Sequence, residues 1–262
     1  MNAQNSPGQL LSKPNFVIAI DGPAGAGKST IARHLARHYG LLNLETGAMY
    51  RAFALKALRL DVPLDDSAAL ARLAAETEID LEPGEDENRV LLDGEDVTGQ
   101  IRNQTVTDAA SRVSVFPPIR AAMVKRQQEM GARGGVVMEG RDIGTVVFPN
   151  AEVKIFLDAA PEVRGMRRYD QIGARSRAGA KPIPPPEEVI RELHARDERD
   201  RNRADSPLRP APDAFVLDST NMTLEEAVKV AESTVDAWLA KQQFKTLNPK
   251  AVDSTRRNSP RP

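Results

Sequence analysis

Residues Gly22 to Ser29 read Gly-Pro-Ala-Gly-Ala-Gly-Lys-Ser and follow directly on the apolar run Phe16–Ile20. The pattern G-x-x-x-x-G-K-[ST] between a strand and a helix constrains the fold more than any other feature of the chain. Its glycines let the backbone curl so that successive N–H groups point inward at a polyphosphate. Lys28 can reach the β- and γ-phosphates, and the Ser29 hydroxyl can serve a magnesium ion directly or through water. The helix that follows adds its positive N-terminal end to the same anion. Ile31, Leu35 and Tyr39 supply the apolar stripe of that helix, and Gly40 closes it as a C-cap. A ligand-free glycine turn is the bland alternative; with both flanks in place, the reading is nucleoside triphosphate binding.

From this anchor, short apolar runs alternate with helical patterns. The expected strands are Phe16–Ile20, Leu41–Leu44, Val136–Met138, Val153–Leu157 and Phe215–Leu217. Their unbroken apolar character suits a sheet covered on both faces, which implies parallel strands with helical crossovers. The predicted fold class is α/β, a P-loop NTPase-type doubly wound parallel sheet. Within about residues 62–104 the pattern changes. An alanine-rich helix (Ser67–Glu76) leads to apolar runs at Ile79–Leu81, Arg89–Leu92 and Asp96–Val97, with the hairpin signal Asp93-Gly94 between the last two. That predicts a small antiparallel excursion, followed by helices over Thr105–Val113 and Pro118–Met130. Residues 161–203 read as two charged helices around a Gly/Ala/Pro-rich middle, a poor core element but a suitable mobile cover. An amphipathic helix from Leu224 to about Leu239 ends the folded part, taken as 16–240. Residues 1–15 are expected to be a flexible lead-in and 241–262 a disordered tail.

Composition narrows the classes. At 40% hydrophobic residues the chain can build a substantial core, and a net charge of −1 argues against a general binder of nucleic-acid polymers. With no cysteine there is no disulfide framework and no thiolate ligand or nucleophile. No apolar run approaches the length of a membrane span or a signal-peptide core, so a cytoplasmic protein is expected.

A P-loop alone does not separate a GTPase, a motor, a helicase or a small-molecule kinase. The chain holds no N-K-x-D guanine reader, and motors and helicases need far more chain. A compact kinase remains, and it needs guanidinium groups to hold a second phosphate-bearing molecule against the first. Candidates fall in four stretches: Glu45 to Arg51, Ser111 through Phe116 to Arg120, Glu139 to Thr145, and Arg196 to Arg203. In the last, Arg196, Asp200 and Arg203 share one helical face. The first and third lie just past strands, where open α/β sheets bind ligands.

Taken together, I-D-G-P-A-G-A-G-K-S-T, E-T-G-A-M-Y-R, F-P-P-I-R, E-G-R-D-I-G-T-V-V-F-P, K-I-F-L-D-A, R-D-E-R-D-R-N-R and L-D-S-T strongly resemble the bacterial cytidylate kinases, from about Phe16 to Leu239. The resemblance implies phosphoryl transfer from ATP, with Mg²⁺, to CMP or dCMP. It implies that Gly22, Pro23, Ala24, Gly25, Ala26, Gly27, Lys28, Ser29 and Thr30 hold the ATP phosphates. Arg51, Arg141 and Arg203 would grip the acceptor phosphate, with Lys28 between the nucleotides, making Lys28, Arg141 and Arg203 the catalytic group. Ser111, Arg120 and Asp142 would read the cytosine edge, with Thr46 close by and Arg203 contributing. Arg196 and Asp200 would contact the ribose. The antiparallel excursion corresponds to the family's acceptor-side insert, 161–203 to its helical lid, and the family favours a monomer. One departure is Glu45, where the family often carries Asp before Ser-Gly or Thr-Gly.

Two rival readings stay open on the residues: a regulatory P-loop protein that signals through a partner, and a kinase acting on another acceptor such as UMP or shikimate. His34 and His38 stand i, i+4 on the first helix beside Arg33 and Arg37, with no third ligand near them in sequence, so they are read as polar-face residues rather than a metal pair. Phe53, Phe156 and Trp238 are expected in the core.

Overall fold

The computed structural model describes residues 15–82, 84, 88–176 and 184–247. The expectations for most of the lead-in, for the middle of the lid and for the end of the tail lie outside the described residues.

The five expected strands form one parallel sheet: β1 (Val17–Asp21), β2 (Leu42–Glu45), β6 (Val136–Gly140), β7 (Val153–Asp158) and β8 (Phe215–Asp218), in the order β2-β6-β1-β7-β8. Ile18 of β1 is in register with Val137 on one side and Val153 on the other, so β1 is the central strand. Period two then sends side chains to opposite faces. Ile18, Ile20 and Val137 pack with Leu35 of helix α1 (Lys28–Tyr39) and with Ala231 and Val235 of α8 (Leu224–Leu247). Val17, Ala19 and Met138 face the other side and pack with Ile143 and Val147. Strands added after β6 lie across β1 from β2, so the order reverses beside β1, and the carboxyl ends of β1 and β6 open onto the crevice where such sheets bind ligands.

The excursion is antiparallel, as expected. After α2 (Thr46–Arg59) and α3 (Ser67–Ala75) come β3 (Ile79–Glu82), β4 (Arg89–Leu92) and β5 (Glu95–Asp96). Asp93 and Gly94 both take positive φ, 49° and 83°, the requirement of the two-residue turn the sequence signalled. That turn sets Leu92 opposite Glu95, one residue earlier than the apolar reading of Asp96–Val97, and Val97 goes into the core instead. The small sheet shares one core with its surroundings. Val90 and Leu92 pack with Met49 and Phe53 of α2, Val106 and Val113 of α4 (Gln104–Val113), and Ile119 and Met123 of α5 (Pro117–Gly131). Phe53 and Phe156 are buried, and Trp238 lies half-buried against Phe16, as expected of core residues.

Two features differ from expectation. Helix α8 runs on to Leu247, through the first part of the expected tail. Ala240, Lys241, Gln242 and Gln243 are strong helix formers, and no Gly or Pro interrupts them before Pro249. The chain also leaves β6 through a π-helical turn, Ile143–Val147, which apolar periodicity does not signal. Helices α6 (Pro161–Ser176) and α7 (Pro186–Asn202) pack on each other above the sheet's carboxyl end. Among the described residues no helix is long and apolar enough to cross a membrane.

Gly22 joins β1 to the phosphate loop at φ 148°, and a Cβ there would lie 2.0 Å from the Leu157 carbonyl oxygen of β7. Backbone against backbone cannot yield cheaply. Gly22→Ala should therefore cost at least about 2 kcal/mol, read as a lower urea midpoint with unchanged slope; an unchanged midpoint would mean β1 and β7 do not pack this closely.

Candidate active site

Burial and cation crowding set the electrostatics of the loop. Gly27 precedes α1 without any side-chain cap, which leaves the first amides of the helix to an anion. The Lys28 ammonium is buried and donates to the Pro23 carbonyl at 2.7 Å. Its pKa is driven well below the ordinary lysine range, first by burial and next by the Arg141 guanidinium. A polyphosphate would relieve both pressures.

Two acids stand at the strand ends beside it. Asp21, the last residue of β1, accepts from the Ile143 and Gly144 amides at 2.7 Å each, tying β1 to the π-helical turn. Its pKa rises to about 6 because burial outweighs those bonds. Glu139 in β6 is also raised, by burial and then by the Glu45 carboxylate, while a hydrogen bond from Ser29 works the other way. Its buried Oε1 has no hydrogen-bond partner. Ser29 and Glu139 thus present hard oxygen donors of the kind a magnesium ion takes.

Across the cleft the cations meet carboxylates. Thr46, first residue of α2, donates to the Glu139 carbonyl at 2.7 Å, and Arg51 one turn on donates to Glu45 Oε1 at 2.6 Å. Burial works to raise Glu45, but Arg51, with Arg102 and Arg33, holds it below the ordinary carboxylate range. Arg141 Nε donates to Asp200 of α7 at 2.8 Å, so the strand end is bound to that helix. Arg120 is almost wholly buried, bonds Asp142, and lies 5.9 Å over the Tyr50 ring. Arg203 sits 3.9 Å from both Asp142 and Asp200 and donates to the Ser206 carbonyl at 2.6 Å. Arg196 differs in its electrostatics: like those of Arg51 and Arg120 its buried Nε has no hydrogen-bond partner, but its pKa falls to about 10, through burial and then Arg141.

These groups converge on one cleft of about 440 Å³, into which Lys28, Ser29, Arg51, Arg141 and Arg196 all open. Ser111 lies in an adjoining cavity of about 290 Å³ that also touches Arg196. Arg120, Asp142, Asp200 and Arg203 line neither space and form a buried ion-pair knot behind them. The structure gives roles to four residues outside the predicted site set, two of which, Glu139 and Arg199, lie in stretches already marked as candidates. Asp21 and Glu139 hold the strand ends. Arg199 donates to the Ser111 hydroxyl at 3.2 and 3.1 Å. Arg164 of α6, almost wholly buried, donates to Ala24 of the phosphate loop at 3.1 Å and to Asp197 of α7 at 2.6 Å. A charge inside a β-strand, as at Glu139, was the signal available for one of them; the rest depend on tertiary contacts.

A parallel sheet with a phosphate loop at its central strand and a facing cluster of guanidinium groups defines the P-loop kinase class. The family model for cytidylate kinase matches residues 18–236. Among curated relatives, cytidylate kinase of Pasteurella multocida (strain Pm70) is 48% identical over 224 residues, covering 86% of this chain and 96% of the relative. Cytidylate kinases of Pelotomaculum thermopropionicum and Solibacter usitatus are 50% and 51% identical, covering 87% and 84% of this chain and 98% and 93% of those proteins. The chain belongs to the cytidylate kinase family.

Asp21 carries a pH signature. Between 3.8 and about 6 the folded state holds a proton that the unfolded chain has released. Its contribution to stability is therefore complete below about pH 4 and lost as pH rises through about 6. Relative to Asp21→Asn, which carries no such proton, the wild type should lose on the order of 3 kcal/mol across that window. Urea unfolding of both proteins at several pH values checks this; a pH-independent difference would place the Asp21 proton elsewhere.

Proposed function

We propose that this cleft transfers the γ-phosphoryl group of ATP to a phosphate oxygen of CMP or dCMP, releasing ADP and CDP or dCDP. The observation that carries the reading is Arg196: a half-buried guanidinium that opens into the cleft beside Arg141, across from the phosphate loop, with its pKa pulled down to about 10 by desolvation and by that neighbouring cation. Such a group is stabilised by an anion entering the cleft. The acceptor oxygen is already ionised at neutral pH, so no general base is required, and the protein's work is alignment, charge neutralisation and exclusion of water.

The loop from Gly22 to Thr30 holds the donor phosphates on its amides, and Lys28 spans the gap between the nucleotides. Arg51 and Arg141 grip the acceptor phosphate, with Arg203 steadying Asp142 and Asp200 behind them. Ser111 meets the base, with Thr46 at its border, and Arg196 meets the ribose; Arg120 and Asp142 reach the base and Asp200 the ribose once the ion-pair knot opens to the bound acceptor. Ser29, with Glu139 beside it, would hold Mg²⁺, which would supply charge neutralisation at the phosphates. The family resemblance carries a monomer as the working unit. The reading also carries a cytoplasmic location, where the nucleotides are found.

The test is ADP release with ATP and Mg²⁺ against CMP, dCMP, UMP, AMP, GMP and shikimate. Turnover confined to CMP and dCMP is expected; turnover with another acceptor would overturn the base-reading assignments, and none in folded protein would favour a nucleotide-binding switch. Arg196→Ala and Arg203→Ala should each lower kcat/KM for CMP by about 10²-fold or more while moving the ATP Kd by less than about three-fold. Equal loss of ATP binding would remove these residues from the acceptor side.

A further inference from the structure

Two of the chain's three histidines, His34 and His38, stand one turn apart on the outer side of α1. The fold brings them what their neighbourhood in sequence lacks. Glu232 of α8 places Oε1 2.6 Å from His34 Nε2 and 3.3 Å from His38 Nδ1. All three donor atoms fall within 4.8 Å of one another. Two imidazole nitrogens converging on a single carboxylate oxygen is more than an ion pair between helices requires, since one histidine would suffice.

We propose that His34, His38 and Glu232 form a binding site for one divalent transition-metal ion of the zinc class, which staples α8 to the helix that carries the phosphate loop. Donors at about 2.0–2.1 Å around a tetrahedral ion stand about 3.3 Å apart. The His38–Glu232 separation already matches that value, and the His34–Glu232 separation falls short of it by well under 1 Å. Nitrogen-rich donors of this kind select Zn²⁺, Co²⁺ or Ni²⁺ over Mg²⁺, which prefers oxygen. Three protein ligands leave a position for water.

The frame is rigid. Tyr39, next to His38, donates its single hydroxyl proton to Asp236 Oδ1 at 2.8 Å, with the Glu232 carbonyl also near at 3.2 Å, which pins the ligand-bearing turn of α8. The His38 ring meets the Tyr39 ring edge-on at 4.7 Å. Beneath them Ile31 and Leu35 pack with Ala231 and Val235 in the core. Support of this sort holds ligands in place before the ion arrives. The side chains of His34 and His38 are 43% and 51% exposed, so an ion has a direct entry path.

The experiment titrates the full chain with Co²⁺, followed by visible absorption, and with Zn²⁺, followed by calorimetry, both in excess Mg²⁺ and with or without ATP. One equivalent is expected, undisturbed by ATP, with a rise in thermal midpoint on Zn²⁺ addition. His34→Asn, His38→Asn and Glu232→Gln should each weaken binding by at least about ten-fold and abolish the thermal shift. His38→Asn, at the most exposed of the three positions, keeps the test decisive if another variant folds poorly. Binding unchanged by these substitutions, displaced by ATP, or absent at micromolar metal would overturn the proposal.

Discussion

Lys28, Arg51, Arg120, Arg141, Arg196 and Arg203 are gathered in and behind one cleft, and the rest of the site follows from how their charge is compensated. A buried ion left alone costs several kcal/mol. The fold therefore brings Glu45 to Arg51, Asp142 to Arg120 and Asp200 to Arg141, each from a different element. Compensation is incomplete at Lys28 and Arg196, where burial and neighbouring cations lower both pKa values. The cleft is thus stable enough to fold with its cations in place and short of negative charge where two sets of phosphates would supply it. A site fully paired with its own carboxylates would have no reason to take up an anion.

That arrangement also couples the parts. Asp200 lies on α7 while its partner Arg141 lies past β6, so the ion pair fixes α7 over the sheet. Arg164 does the same for α6, joining Ala24 of the phosphate loop to Asp197 of α7. One guanidinium thus ties α6 and α7 to the phosphate loop and another ties α7 to the end of β6. Movement of α6 and α7 relative to the sheet must exchange these contacts, and phosphates are the natural groups to replace the carboxylates in them.

Much of this was legible in the sequence for definite reasons. Val17–Asp21 and Val136–Gly140 are unbroken apolar runs up to their charged ends, so the parallel sheet and the position of the crevice could be read directly. Asp93-Gly94 announced its turn because both positions need positive φ. The convergence of Lys28, Arg51, Arg141 and Arg196 was legible from motif order. Which of the group line open space and which form the supporting knot was not, because Arg120 and Asp142 look like Arg51 and Arg141 until their partners are known. Arg164 and Glu232 act through contacts 140 and 198 residues away in the chain, and no local pattern encodes those. Helix α8 outran its amphipathic stripe because propensity carries a helix past the last residue that the core requires.

Glu45 shows how a single departure from a motif can be absorbed. It precedes α2 and reaches Arg51 across one and a half turns, with Oε1 2.6 Å from Nη2. An aspartate at the same Cα would end about 1.5 Å short, one carbon–carbon bond, and would leave that guanidinium to find another partner. Gly47 leaves the space, since a Cβ there would stand 3.3 Å from Arg51 Nη1. The same carboxylate presses on Glu139, raising its pKa, so the longer acid both aims Arg51 and adjusts the acid beside Ser29. Glu45 therefore reaches both halves of the cleft through charge, although its side chain makes its direct bond on only one of them.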